Sequence, residues 1–146
     1  MELKTRIREI ALDLTRIRSV VETPGEVAVA DRIYEILADF PYFRDHPEYL
    51  TKAPVPDDTL GRYAVVALFR GEASDSKDTV VTLGHYDTVG TSDYGNLEAY
   101  ATDPEELTRR LNDAVLSDEA ARDLASGDYL FGRGLFDMKT GDAILM

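Results

Sequence analysis

The sequence predicts an α/β fold, a three-layer α/β/α arrangement with an incomplete sheet. Three observations predict it. Leu3, Ile7, Ile10, Leu14 and Ile17 recur at steps of three and four, and Ala30, Ile33, Tyr34 and Leu37 form a second such stripe; each is one face of a helix. Arg62 to Phe69 and Asp78 to Leu83 are β-rich and nearly continuous apolar runs, the composition of strands covered on both faces. The 146 residues are one domain's worth of chain, 44% hydrophobic and 30% charged, too apolar for full disorder.

The elements follow in order. The first stripe places a helix at about residues 4–18, its end blurred by Ser19, Val20 and Val21. Thr23-Pro24-Gly25-Glu26 reads as a capping box, with Thr able to cap, Pro suited to the first helical position and Glu in the third. It opens a second helix over about 24–39. Pro41, Pro47, Pro54 and Pro56 break any helix after it, so Phe40 to Leu60 is expected to be an extended loop. The two apolar runs are expected at 62–70 and 79–84, paired antiparallel across a polar turn, Gly71 to Lys77. Gly84 to Ala101 reads as loop. Asp103-Pro104-Glu105-Glu106 is a helix start leading into Leu107 and Leu111, and Ser117 caps a short helix through Ala125. A glycine-broken approach, Asp128 to Phe136, leads to Ala143-Ile144-Leu145-Met146, which reads as the first turns of a buried helix.

Charge and composition restrict the function. The formal charge is −12, which argues against a nucleic acid or an anionic membrane as partner. There is no cysteine, which excludes disulfide frameworks, thiolate nucleophiles and Cys-based zinc sites. The charged start has no apolar signal core, and the longest uncharged apolar run, Tyr63 to Phe69, is far below the ~20 residues of a membrane span. The expectation is a soluble, acidic, cytoplasmic protein.

Two histidines are present. His46, in Asp45-His46-Pro47, reads as a surface or loop-anchoring residue. His85 directly follows the end of the second expected strand, in Gly84-His85-Tyr86-Asp87-Thr88-Val89, and sites form at strand ends in open α/β sheets. A His-x-Asp step suits an imidazole on a metal with the carboxylate fixing its tautomer from behind; a polar turn after a strand is the competing reading. The second constellation is Gly132-Arg133-Gly134-Leu135-Phe136-Asp137-Met138-Lys139-Thr140-Gly141. Asp137 stands where a dinucleotide fingerprint needs its third glycine, and there is no Gly-Lys-Ser/Thr, so neither a Rossmann nor a P-loop reading holds. What remains is an Asp at a glycine-framed turn before a helix, able to cap that helix or to bind a metal.

Taken together, His85-Tyr-Asp87-Thr-Val and Gly132-Arg-Gly134-x-x-Asp137-Met-Lys139-x-Gly141 resemble the zinc aminoacylase and carboxypeptidase family. That family includes acetylornithine deacetylase, succinyl-diaminopimelate desuccinylase and carboxypeptidase G. The resemblance extends over nearly the whole chain, including Leu14 to Glu26. Asp103 to Leu107 and Ser126 to Gly134 look most like its arginine-utilisation branch. It implies a zinc-exopeptidase-like fold, with residues 1–146 forming the N-terminal part of the catalytic domain and the lid domain and C-terminal half lying outside the chain.

The resemblance also implies roles. His85 is a ligand of one metal, Asp137 bridges two metals, and Asp87 is the catalytic carboxylate that orients His85. The cofactors are two divalent ions, zinc or alternatively cobalt or manganese, and the substrate a small peptide or N-acyl amino acid hydrolysed at its amide bond. The peptide after Asp137 is expected to be cis where metal or packing holds it. The general-base Glu and the remaining ligands fall later in the family's chain, so the chain alone is expected to be inactive. The interval between His85 and Asp137, 52 positions, is longer than usual for the family. The alternative is a non-catalytic domain of the same fold that binds a partner through its apolar C-terminal end and its unfinished sheet. The apolar C-terminal end is expected to drive homo-oligomerisation.

Overall fold

The computed structural model describes residues 2–71 and 76–146. It is mixed α/β with an incomplete sheet, as the sequence predicts. Helix α1 spans Leu3–Arg16 and α2 spans Gly25–Ala38. Their apolar stripes meet in the core, where Ile10, Ala11 and Leu14 pack with Val29, Ile33, Ile36 and Leu37. Leu3, the first residue of the predicted stripe, is exposed.

The capping box forms only in part. Glu26 reaches back as expected, but its Oε2 accepts from the Glu22 amide at 2.7 Å. The Thr23 hydroxyl does not cap; it donates to the Val20 carbonyl at 2.6 Å. Glu26 is buried and pairs with Arg62 at 3.3 Å, so tertiary packing has drawn its carboxylate beyond a local capping role.

Phe40 to Leu60 is not the extended loop predicted from its prolines. Helix α3 spans Pro41–Asp45, a single 3₁₀ turn spans Pro47–Tyr49, and strand β1 spans Leu50–Pro54. Pro41 and Pro47 each sit in a first turn, where the missing N–H has no partner to lose. Phe43 and Leu50 are buried and anchor the segment to the core.

Strand β2, Tyr63–Ala67, pairs antiparallel with β1, in register from Leu50 opposite Ala67 to Pro54 opposite Tyr63. The predicted partner, Asp78 to Leu83, has no strand pairing; Val80 is 88% exposed and Leu83 84%. β1 takes the partnership through a connection with its own staple. Asp58 accepts from the Arg62 amide at 2.7 Å and from its guanidinium at 2.6 and 2.8 Å, closing the turn. The polar turn predicted at Gly71–Lys77 lies largely outside the described residues. Helix α2 packs on the β1–β2 pair, while Val66 and Leu68 stay exposed, so the apolar run of β2 is not covered on both faces.

The segment read as loop from Gly84 to Ala101 contains 3₁₀ turns over Ser92–Tyr100, broken at Gly95. Helix α4, Pro104–Leu111, starts where predicted, and Asp103 accepts from the Glu106 amide at 3.1 Å. Helix α5, Asp118–Ser126, is capped by Ser117, whose hydroxyl accepts from the Ala120 amide at 3.3 Å, and it ends at left-handed Gly127. Helix α6 spans Thr140–Leu145. Its Ala143 is buried against the core, whereas Ile144 is exposed. α1 lies against α6 and the turn before it, and that contact positions the candidate site.

Candidate metal centre

The site joins two segments. The first, Gly84 to Thr88, follows a stretch without strand pairing rather than a strand end. It is held instead by the connector after α1. The Thr88 amide donates to the Ser19 carbonyl at 2.8 Å, and the Val21 amide donates to the Thr88 carbonyl at 2.9 Å, a short parallel bridge. The Ser19 hydroxyl donates to the Tyr86 carbonyl at 2.6 Å. The Tyr86 hydroxyl in turn donates to the Tyr63 carbonyl at 2.5 Å, tying the segment to β2.

The second segment is the irregular turn Leu135–Lys139, which has non-helical backbone at Asp137 and Met138. The Asp137–Met138 peptide is cis. Gly134 opens the turn at φ 83°, and a Cβ there would stand 2.6 Å from the Thr88 side chain. Glycine is therefore required both for the backbone conformation and for the approach of the two segments.

These two segments bring together His85, Asp87 and Asp137, the three residues singled out in the sequence. His85 Nε2 donates to Asp137 Oδ1 at 2.9 Å across 52 positions. His85 Nδ1 lies 3.3 Å from Asp87 Oδ1. Burial lowers the imidazole pKa, but the hydrogen bond to Asp137 and the charges of Asp87 and Asp137 outweigh it and leave the pKa raised. The Asp137 carboxylate is 80% exposed, so an exogenous group can reach it from solvent.

The donor set fits a divalent cation in kind. An imidazole nitrogen and a carboxylate oxygen face each other, and a second carboxylate stands on the far ring nitrogen. It is incomplete in number. Among the described residues no three His, Asp or Glu side chains cluster as a full metal site.

Two neighbours escaped the sequence reading. Asp142 is buried, its Oδ2 has no hydrogen-bond partner, and burial pushes its pKa up to about 6 against the pull of His85 and Lys139. Lys139 is fully buried, and its ammonium donates to the Ile17 carbonyl at 2.7 Å. Burial lowers its pKa to about 8. Lys139 lies inside the Gly132–Gly141 motif, but nothing in that pattern shows that its side chain turns inward. His46 stacks on Tyr49 and lies 3.6 Å from Glu48, away from the site.

No family model matches the chain, and no solved structure matches it. Among the described residues no helix is long and apolar enough to cross a membrane. The chain is similar to protein RocB of Bacillus subtilis (strain 168), 34% identical over 139 residues, which is 95% of this chain and 24% of RocB. It is also similar to the uncharacterized protein YqjN of the same organism, 37% identical over 142 residues, which is 96% of this chain and 25% of YqjN. The chain therefore resembles, along nearly its whole length, about a quarter of each of two longer proteins.

Proposed function

We propose that this chain is the N-terminal part of the catalytic domain of a di-metal hydrolase. Its substrates are small N-acyl amino acids or peptides cleaved at an amide bond, within the arginine-utilisation branch of the aminoacylase and carboxypeptidase family. One observation carries the reading: the 2.9 Å approach of His85 Nε2 to Asp137 Oδ1, with Asp87 behind the ring. A purely structural turn has no need to bring these side chains together across 52 positions and leave the carboxylate exposed. Similarity to the two longer proteins supports a chain that is one part of a larger enzyme.

In this reading His85 and Asp137 hold divalent ions, zinc or alternatively cobalt or manganese, and Asp87 fixes the tautomer and direction of the His85 ring. When bound, such ions polarise an amide carbonyl and acidify a water. Asp137 brings negative charge to an open face where a cation binds without displacing a buried side chain. The chain's recognisable motifs contain no general base, and its two facing donors leave most coordination positions to be supplied from elsewhere. The isolated chain is accordingly inert.

The test has two arms. Isothermal titration of the 146-residue chain with Co²⁺ is expected to show weak binding that H85A and D137A abolish; unchanged binding in both variants would remove the metal reading. Hydrolysis of a panel of N-acyl amino acids with zinc, cobalt or manganese is expected for full-length RocB or YqjN, with loss on chelation, and not for the isolated chain. Chelator-sensitive turnover by the chain alone would show that its chemistry resides in other residues.

A further inference from the structure

Both halves of the site are fastened to one short piece of backbone, the connector from Ile17 to Val21 that follows α1. From one side the Ser19 hydroxyl donates to the carbonyl of Tyr86, the residue between His85 and Asp87, at 2.6 Å. The Ser19 carbonyl also receives the Thr88 amide at 2.8 Å. From the other side the Lys139 ammonium reaches the Ile17 carbonyl at 2.7 Å. Ser19 and Lys139 are both fully buried, and the residues whose carbonyls they hold, Tyr86 and Ile17, are half-buried. Ile17 ends α1, whose orphan carbonyls and negative dipole end favour a cation there. The Lys139 amide donates to the Gly134 carbonyl at 2.8 Å and closes the turn that carries Asp137.

The contrast between anchors and working groups is sharp. Asp137 lies between buried Leu135 and buried Lys139 and is itself exposed, with His85 as its hydrogen-bond partner. His85 and Asp87 likewise flank the residue whose carbonyl Ser19 holds. The side chains that meet are thus set by anchors one or two residues away, and those anchors share a frame three residues long, Ile17 to Ser19. We propose that Ser19 and Lys139 are positioning residues that set the separation of His85 and Asp137 through the Ile17–Ser19 backbone. The geometric claim stands on the contacts above; its consequence for metal binding rests on the hydrolase reading.

The test uses the metal-free 146-residue chain at fixed neutral pH, with the His85 ring nitrogens followed by long-range ¹H–¹⁵N NMR. D137A supplies the signature of a lost Nε2 contact. S19A and K139M are expected to move the Nε2 resonance at least halfway to the D137A position, and S19T and K139R to return it towards wild type. V29A, a core truncation away from the connector, is expected to lower stability without that movement. If K139M does not fold, S19A and S19T carry the comparison alone. Wild-type resonances in S19A and K139M, or an equal displacement in V29A, would overturn the proposal. Co²⁺ titration of the same variants reads the consequence, a loss of about tenfold in affinity when a supporting contact is removed. A wild-type chain that binds no Co²⁺ would defeat the hydrolase reading and leave the NMR comparison intact, so the two failures are distinguishable.

Discussion

At the scale of single residues, His85 and Asp137 face each other at 2.9 Å, and the backbone on either side of them is held by Ser19 and Lys139. His85, Asp87 and Asp137 stand out because histidine is rare here and because glycines frame the aspartate. Ser19 and Lys139 do not, since a serine after a helix and a lysine in a glycine-rich stretch are ordinarily solvated; only the fold makes them internal. Glu106 gives a pH prediction at this scale. Hydrogen bonding to Arg109, together with Arg110, holds its carboxyl down at about 2, below the usual 4.5. A carboxyl lowered in the folded state contributes stability above its unfolded pKa and loses it as pH falls through the folded one. Urea midpoints for wild type are therefore expected to fall between about pH 4.5 and 2 more steeply than those of E106Q. Parallel profiles would show that these exposed ion pairs add nothing.

At the scale of elements, legibility followed how local each signal is. The stripes of α1 and α2 and the caps of α4 and α5 depend on neighbours a turn away, and they form where the sequence places them. The strands depend on which distant segment wins a pairing, and there β1 displaced Asp78 to Leu83. Prolines misled for a related reason, because they mark helix starts as readily as breaks. Two caps with the same chemistry should then have different global effects. α4 buries Leu107, so D103A is expected to lower stability by about 1 kcal/mol and L107A by about 2–5 kcal/mol in chemical denaturation. α5 buries no residue, so S117A should reduce helical content by circular dichroism while leaving the main unfolding transition in place. A comparable midpoint shift in S117A and D103A would mean that α5 docks more firmly than its exposure indicates.

At the scale of the whole molecule, the sheet has two strands among the described residues, and an apolar groove of about 1230 Å³ runs beside it. Val66, Leu68, Val80, Val81 and Leu83 line it, together with Leu145 and Met146. Exposed apolar surface of this kind drives association. The 146-residue chain is expected to self-associate with rising concentration in sedimentation experiments, and V80D combined with V81D to weaken that association. A monomer at every concentration would dismiss the idea. The long-range architecture has a consequence for biosynthesis as well. The bond from Lys139 to Ile17 spans 122 positions, and α1 packs mainly against residues from that same late part of the chain. At about 5–20 residues per second, roughly 6–24 s separate the emergence of these partners from the ribosome. Through that interval α1 can pack on α2, but its contacts with α6 and the turn before it are unmade, so the nascent chain carries a partly uncovered helix before it can assemble a site.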